Sequence, residues 1–157
     1  MKYKLPVRVL SLKIENKLLE YMYSKALDAY PNEVGGMLVG RYENKNSAIV
    51  ENIVMPKEIL GTSNEFIRNT AGLEELWFEL KNDGLEYLGE WHTHPNGSAH
   101  YSRTDLNAMR EVVKDKNVSI LNPILLILSL DKTKIKEHNV YLYDSSRLLM
   151  FQKEKQI

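Results

Sequence analysis

Residues 85–130 read LEYLGEWHTHPNGSAHYSRTDLNAMREVVKDKNVSILNPILLILSL, and this stretch decides the fold. It opens with a predicted strand that stops at Pro95, and a polar loop follows the proline. Residues 104–116 then place apolar side chains along one side of a predicted helix. Residues 124–130 are almost all apolar, which is typical of a central strand buried on both faces. The stretch therefore predicts a strand, a helix and a second strand that lies inside a sheet.

The flanking segments add further helices and strands with short connections. The predicted elements are a strand at 7–14, a helix at 15–30, strands at 36–42, 47–55 and 65–69, a helix at 71–82, and an alternating outer strand at 134–143. Residues 145–157 form a final element of undecided type. This mixture predicts an α/β or α+β domain, in which helices pack on a central mixed sheet. A chain of 157 residues has room for one such domain, over residues 1–157.

The composition excludes several kinds of chemistry. Lysine plus arginine numbers 21 and aspartate plus glutamate also 21, and this zero net charge argues against a dedicated nucleic-acid binder. Cysteine is absent, which excludes disulfides, thiol nucleophiles and thiolate metal sites. A transition metal must therefore be held by histidine, aspartate or glutamate. The four histidines are His92, His94, His100 and His138.

No targeting or membrane segment is predicted. Residues 1–10 lack the apolar core and the small-residue cleavage site of a signal peptide. The longest apolar run, within residues 123–130, is far too short to cross a bilayer. We therefore expect a cytoplasmic protein without a membrane partner.

Residues 92–105, HTHPNGSAHYSRTD, concentrate the groups that can do chemistry. Alternate residues of a strand point to the same face, so His92 and His94 can converge on one ion. Asp105 lies in the first turn of the next predicted helix and can bring a carboxylate to the two imidazoles. Two histidines and one carboxylate leave a tetrahedral metal ion one open position for water.

The same residues also have a purely structural interpretation. Ser102 and Asp105 have the spacing of a helix start, with Ser102 as the N-cap. A lone His-x-His pair is common on protein surfaces. The fixed spacing of all four residues favours a metal site, and the two interpretations are compatible because a capping residue can also bind a metal.

The pattern His92-x-His94-x(7)-Ser102-x-x-Asp105 resembles the JAMM signature of the JAB/MPN zinc metalloproteases. Residues 32–40, NEVGGMLVG, are similar to the glutamate motif of that family. The order of predicted elements also matches, over about residues 5–145. The resemblance implies a cytidine-deaminase-like layered fold. It also implies an isopeptidase that cuts ubiquitin or ubiquitin-like proteins from their targets.

The resemblance assigns a role to each matching position. It implies that His92, His94 and Asp105 bind one zinc ion per chain. Glu33 would be the general base that takes a proton from water and passes it to the leaving amine. Ser102 would donate a hydrogen bond to the oxyanion of the tetrahedral intermediate.

Glu33 has a rival within the sequence. Glu90 lies two residues before His92, hence on the same strand face, and proximity alone favours it as the base. The family pattern favours Glu33, and the glycines at 35 and 36 suit a close approach of the backbone to the site. Glu90 remains open as a supporting or surface residue.

Four other residues have plainer interpretations. His100 lies in the loop between the ligand groups, where we expect it to be exposed, with contact to substrate or to a second ion as the alternative. His138 on the outer strand and Trp91, opposite the ligands, are expected to be structural. Tyr101 stands where many family members have proline. Without the proline the loop is expected to be less rigid, whereas the ligand set is unaffected.

The leading functional hypothesis is a zinc-dependent isopeptidase or peptidase that cleaves after the C-terminal tail of a ubiquitin-like protein. Deconjugation, as in antiphage systems, is preferred over the trimming of a sulfur-carrier-like tail. We expect the tail to add as a strand along residues 62–69. A metal-free MPN scaffold is the alternative from another class. Nucleoside deamination is excluded because its zinc motif needs cysteines. The oligomeric state is left open.

Overall fold

Three helices are present in the part of the chain that the structure describes. The structure is a computed structural model, and it describes residues 1–55, 59–61, 66–68, 73–116 and 118–155. The helices are α1 (Asn16–Ala29), α2 (Leu73–Asn82) and α3 (Arg103–Lys114). Each lies within about two residues of its predicted position. The buried side of α1 consists of Leu18, Leu19, Met22 and Ala26, at the helical spacing that the sequence predicts.

A mixed sheet holds most of the strands. They are β1 (Lys2–Leu5), β2 (Leu10–Ile14), β3 (Gly35–Asn44), β4 (Ser47–Val54), β7 (Glu86–Pro95), β8 (Ile124–Leu130), β9 (Ile135–Asp144), β10 (Arg147–Met150) and β11 (Gln152–Lys153). Their order is β10-β9-β8-β7-β3-β4-β2-β1-β11. A separate hairpin consists of β5 (Ile59–Gly61) and β6 (Phe66–Arg68). The mixed α+β architecture agrees with the sequence-based prediction.

The β7–α3–β8 unit contributes two inner strands of this sheet. β7 and β8 are parallel neighbours, and α3 connects them. Every residue of β8 is buried because helices cover both faces of the strand. Leu126 and Leu128 pack in the cluster that contains α1, whereas Leu125 and Ile127 pack in the cluster that contains Met109 of α3. The predicted burial of this strand on both faces is confirmed.

Residues 147–153 bring the two ends of the sheet together. β10 pairs with β9 at one end, and β11 pairs with β1 at the other. Phe151 stands between these two short strands, and its N–H bonds to the Val140 carbonyl at 2.8 Å. The sheet therefore curls around α1, so that Tyr3 of β1 reaches His138 of β9. The sequence left this segment undecided because two short strands with different partners show no common periodicity.

The predicted strand over residues 7–14 is wrong in its first half. Residues 6–9 form the turn between β1 and β2, and only the part from Leu10 onward is a strand. Val7 and Val9 are 76% and 79% exposed, so their alternation with polar residues does not reflect a buried face. Arg8 between them forms an ion pair with Asp144 at the end of β9. This tertiary contact has no signal in local periodicity.

The region predicted to receive a substrate tail is described only in part. Of residues 62–69, the backbone of β6 is described, and residues 62–65 and 69 lie outside the described residues. Within the described chain, no helix combines the length and the apolar character that a bilayer crossing requires.

Candidate metal centre

β7 presents its two histidines on one face of the sheet. His92 and His94 are partly exposed, whereas Trp91 and Thr93 are completely buried on the opposite face. This alternation is the period-two geometry that the His-x-His spacing predicts. Trp91 packs in the core that includes α1, which confirms its structural interpretation.

The third group comes from the first turn of α3. Ser102 is the N-cap of this helix, and its Oγ accepts a hydrogen bond from the Asp105 N–H at 3.1 Å. In return, Asp105 Oδ2 accepts from the Ser102 N–H at 2.7 Å, which completes a capping box. The cap fixes the position of the carboxylate, so the structural and the metal-binding interpretations apply to the same side chain.

The three predicted ligands meet at one point. His92 Nε2 lies 2.9 Å from Asp105 Oδ1, and His94 Nε2 lies 3.2 Å from Asp105 Oδ2. The two Nε2 atoms are 3.1 Å apart. One ligand atom from each residue falls within 4.8 Å of the others, which is the arrangement that can hold a metal ion. Among the described residues, His92, His94 and Asp105 form the one group whose ligand atoms lie this close together.

A backbone carbonyl orients one of the imidazoles. His94 Nδ1 lies 2.8 Å from the Ser98 carbonyl oxygen, which can only accept a hydrogen bond. Nδ1 therefore carries the proton in the neutral ring, and the lone pair is on Nε2, facing His92 and Asp105. A carbonyl behind a histidine is a common way of fixing the tautomer of a metal ligand.

The electrostatics of the cluster favour positive charge at its centre. Burial of Asp105 by itself favours the neutral acid. The imidazoles of His92 and His94 beside the carboxylate outweigh this effect and hold the pKa of Asp105 far below its usual range. Burial also works to lower the pKa of His94, but its hydrogen bonds to Asp105 and Ser98 raise it on balance. The negative charges of Asp105 and Glu33 act in the same direction on the pKa of His94.

Glu33 is brought to the site by the start of β3. The neighbouring Val34 N–H donates to Thr93 Oγ1 at 3.0 Å, and the Thr93 N–H donates to the Val34 carbonyl at 3.0 Å. Thr93 lies between the two histidines, so these bonds place Glu33 next to the ligand strand. A Cβ atom on Gly35 would lie 2.3 Å from the Trp91 carbonyl oxygen and 2.9 Å from His92 Cβ. The predicted close approach of the backbone therefore requires glycine at this position.

The remaining candidates lie around the cluster. Glu90 shares the face of His92, as predicted, and its Oε1 accepts a hydrogen bond from the Tyr87 hydroxyl at 3.1 Å. His100 is exposed in the loop after β7. The Tyr101 ring stacks edge-on against Tyr141, with 5.3 Å between the ring centroids. Neither Glu33 nor Glu90 belongs to the described group of ligand atoms.

His138 lies away from this cluster, on β9. Its Nε2 is 2.7 Å from the Tyr3 hydroxyl, and its Nδ1 is 2.8 Å from the Tyr23 hydroxyl. Burial lowers the pKa of His138, which favours the neutral ring. Its structural interpretation is confirmed.

The loop after β7 rests on residues that the sequence analysis did not select. Ala99 is fully buried, and its carbonyl accepts hydrogen bonds from the Tyr141 hydroxyl at 2.9 Å and from Asn139 Nδ2 at 3.2 Å. Ser129 Oγ donates to the Gly97 carbonyl. One signal was available in the sequence: Ser129 is the single polar residue in the apolar strand ILLILSL.

Comparison with known proteins identifies the family of the chain. The pattern of prokaryotic homologues of the JAB domain matches residues 15–141. The chain belongs to this family. The matched range of the JAB domain includes Glu33, His92, His94, Ser102 and Asp105. The sequence resemblance is thereby confirmed.

A curated relative carries a functional name. It is called "CD-NTase/cGAS isopeptidase", comes from Enterobacter hormaechei subsp. hoffmannii and is 36% identical over 120 residues. The alignment spans 75% of the present chain and 67% of the relative.

Solved structures share the fold at lower identity. A protein from Desulfitobacterium hafniense superposes with a TM-score of 0.68 at 21% identity, and the match covers 88% of each chain. A protein from Salinibacter ruber gives a TM-score of 0.59 at 19% identity, covering 91% of this chain and 88% of the other. These similarities support the architecture alone.

Proposed function

We propose that this JAB domain is a zinc-dependent isopeptidase that releases a protein attached to its target through the C-terminal tail. The observation that carries the proposal is the convergence of His92 Nε2, His94 Nε2 and the Asp105 carboxylate. Two histidines with one carboxylate are a ligand set of catalytic zinc, which keeps a further position open.

The geometry of the cluster fits the proposed ion. Ligand atoms at about 2.0–2.1 Å from a tetrahedral zinc ion are about 3.3 Å from one another. The two Nε2 atoms are 3.1 Å apart, and each has one oxygen of the Asp105 carboxylate nearby, Oδ1 at 2.9 Å from His92 and Oδ2 at 3.2 Å from His94. The lone pair of His94 Nε2 points into the cluster, as metal binding requires. A zinc ion held here would supply a Lewis acid that makes water nucleophilic at neutral pH.

Glu33 is the proton carrier in this proposal. Its position beside the ligand strand allows its carboxylate to take a proton from the attacking water. It then delivers that proton to the amine nitrogen of the breaking amide, which must be protonated before it can leave. Glu90 is the weaker candidate because the glutamate motif of the family matches residues 32–40 and not the strand that carries Glu90.

Ser102 is the donor to the oxyanion in this proposal. A hydroxyl has one donor and two acceptor lone pairs, and the helix cap uses an acceptor site of Ser102 Oγ. Its O–H is therefore available to donate to the carbonyl oxygen of the substrate as negative charge develops there.

The substrate in this proposal is a protein with an extended C-terminal tail. The 36% identical relative is named a CD-NTase/cGAS isopeptidase. A conjugate of a CD-NTase or cGAS-like protein is therefore the first substrate to examine. The resemblance to the JAMM enzymes makes a ubiquitin-like tail the second, with deconjugation as the preferred reaction. The zero net charge suits recognition of a protein tail better than recognition of a polyanion.

A cleavage assay with metal exchange tests the proposal. Each candidate tail is joined by an amide bond to a lysine side chain of a reporter, and mass spectrometry identifies the bond that is cut. We expect cleavage directly after the tail, loss of activity with a chelator and recovery with added zinc. A tail fused head-to-tail to a downstream peptide separates precursor trimming from isopeptidase activity.

Two results would contradict the proposal. Cleavage that persists in chelator would exclude a metal mechanism. Absence of zinc at any stoichiometry, measured by elemental analysis, would favour the non-catalytic scaffold that the sequence left as an alternative.

A further inference from the structure

We propose that Glu137 is a positioning residue for His94 and acts on it through the Ser98–Ala99 peptide unit. The inference rests on the metal-binding part of the proposed function. It assigns a role to the polar face of β9, which the catalytic scheme above does not use.

One planar peptide group joins the two side chains. The Ser98 carbonyl oxygen accepts from His94 Nδ1 at 2.8 Å. The Ala99 N–H belongs to the same planar peptide and points away from the Ser98 carbonyl oxygen. It donates to Glu137 Oε1 at 3.3 Å. The result is a continuous chain of hydrogen bonds from a carboxylate through a peptide to an imidazole.

The register of the sheet explains why a peptide is needed between them. His94 is paired with Ser129 of β8, and Ser129 is paired with Glu137 of β9. These residues form one row across three strands, in which His94 and Glu137 are two strand spacings, or about 9.6 Å, apart. In the structure the loop after β7 lies between the two side chains, and its Ser98–Ala99 peptide bonds to both.

Neighbouring bonds hold this peptide in place. The carbonyl before it, on Gly97, accepts from Ser129 Oγ. The carbonyl after it, on Ala99, accepts from the Tyr141 hydroxyl at 2.9 Å and from Asn139 Nδ2. The peptide therefore cannot rotate freely, and its carbonyl stays directed at His94.

The chemical consequence is an indirect version of a carboxylate–histidine–metal arrangement. A carboxylate bonded to a peptide N–H polarises the peptide and makes its carbonyl a stronger acceptor. A stronger acceptor at Nδ1 holds the tautomer with the lone pair on Nε2 and makes that nitrogen a better metal ligand. Glu137 thus strengthens metal binding without touching the metal.

Metal affinity tests this inference without any substrate. Zinc affinity is measured by competition with a chromophoric chelator for the full chain and for Glu137→Ala, Glu137→Gln and Glu111→Gln. Glu111 is an exposed carboxylate on α3 and serves as the matched control. Cobalt(II) bound to each protein reports ligand geometry through its absorption spectrum.

We expect Glu137→Ala to weaken zinc binding about tenfold and to change the cobalt spectrum, as found for other partners of metal ligands. Glu137→Gln keeps an acceptor for the Ala99 N–H and should recover most of the affinity. In the metal-free protein, nitrogen NMR should show a smaller fraction of the Nδ1–H tautomer of His94 in Glu137→Ala.

Three results would overturn the inference. The first is a Glu137→Ala protein that matches Glu111→Gln in both affinity and cobalt spectrum. The second is an equal loss in the alanine and glutamine variants together with a lower melting temperature, which would indicate a structural role only. The third is an unchanged His94 tautomer. If the wild-type protein binds zinc but cuts no tail, the proposed function is refuted. The zinc affinities of the Glu137 variants would still decide the present inference.

Discussion

In this JAB domain, the two histidines of the cluster and the partly buried His138 use the same ring in different ways. At the cluster, His92 and His94 direct their Nε2 atoms at each other, 3.1 Å apart, with the Asp105 carboxylate against both. On the other side of β8, both nitrogens of His138 are bonded to hydroxyls, from Tyr3 and Tyr23.

The comparison shows that partners, and not burial, decide what a histidine can do. In the cluster, the Ser98 carbonyl fixes His94 with the lone pair of Nε2 directed inward. The negative Asp105 carboxylate beside both imidazoles favours a cation among these groups. Two hydroxyls use both nitrogens of His138, and the apolar surroundings lower its pKa, so that ring stays neutral. The first arrangement is suited to metal binding, and the second ties β9 to β1 and α1.

The largest expected effect comes from removing the carboxylate of the cluster. Asp105→Asn keeps an acceptor for the helix cap but loses the negative charge between the imidazoles. We expect bound zinc to fall from about one ion per chain to near zero, and cleavage to fall to background. Elemental analysis of the purified variant provides the measurement.

His138→Gln is the matched control for that variant. It alters a partly buried histidine outside the cluster, so zinc content should remain at the wild-type value. Equal zinc loss in the two variants would mean that the contrast between the histidine groups is mistaken.

A smaller effect is expected at the candidate proton carrier. Glu33→Gln removes the base while leaving the three ligand atoms in place, so kcat should fall roughly a hundredfold to ten-thousandfold with zinc content unchanged. Steady-state kinetics of Glu33→Gln and Glu90→Gln separate the two carboxylates. Full activity in Glu33→Gln with loss in Glu90→Gln would reverse the assignment.

The smallest effect concerns the pH dependence of stability. The folded state holds His138 with a lowered pKa, so the unfolded chain binds a proton first as the pH falls below the ordinary histidine value. This group therefore stabilises the fold above that pH and loses its contribution as the pH drops from about 7 toward 5.

Urea unfolding at pH 7.5 and 5.5 measures this contribution. The free energy of unfolding should fall less between the two pH values in His138→Gln than in the wild type, with zinc in excess for both. An equal or steeper fall in the variant would show that His138 titrates alike in the folded and unfolded chain.

Local periodicity was sufficient to predict most of the fold. Alternation and helical spacing are imposed by one buried face, and they predicted the helices and the strands β3, β4, β6, β7, β8 and β9 within a few residues, but not β5. They failed where a distant contact decides the structure. Arg8 turns toward Asp144 within an apparent strand, and residues 147–153 divide between two strands that come from opposite ends of the sheet.

The candidate site was predictable where its spacing is local. The positions of His92 and His94 follow from the two-residue repeat of a strand, and the cap places Asp105. The ordering of the loop between them was not predictable, because its partners Ser129, Glu137 and Tyr141 come from later strands. Only the sheet register brings those residues under the loop.

The way residues 147–153 finish the sheet has a consequence for solution behaviour. The terminal strands of the sheet have four and two residues, β10 and β11. Long exposed strand edges are templates for pairing with other chains, and short ones are poor templates. Shortening the chain before Arg147 would uncover the edge of β9 from Tyr141 to Asp144, which β10 covers. This small segment therefore protects the protein against intermolecular strand pairing, independently of any part it has in catalysis.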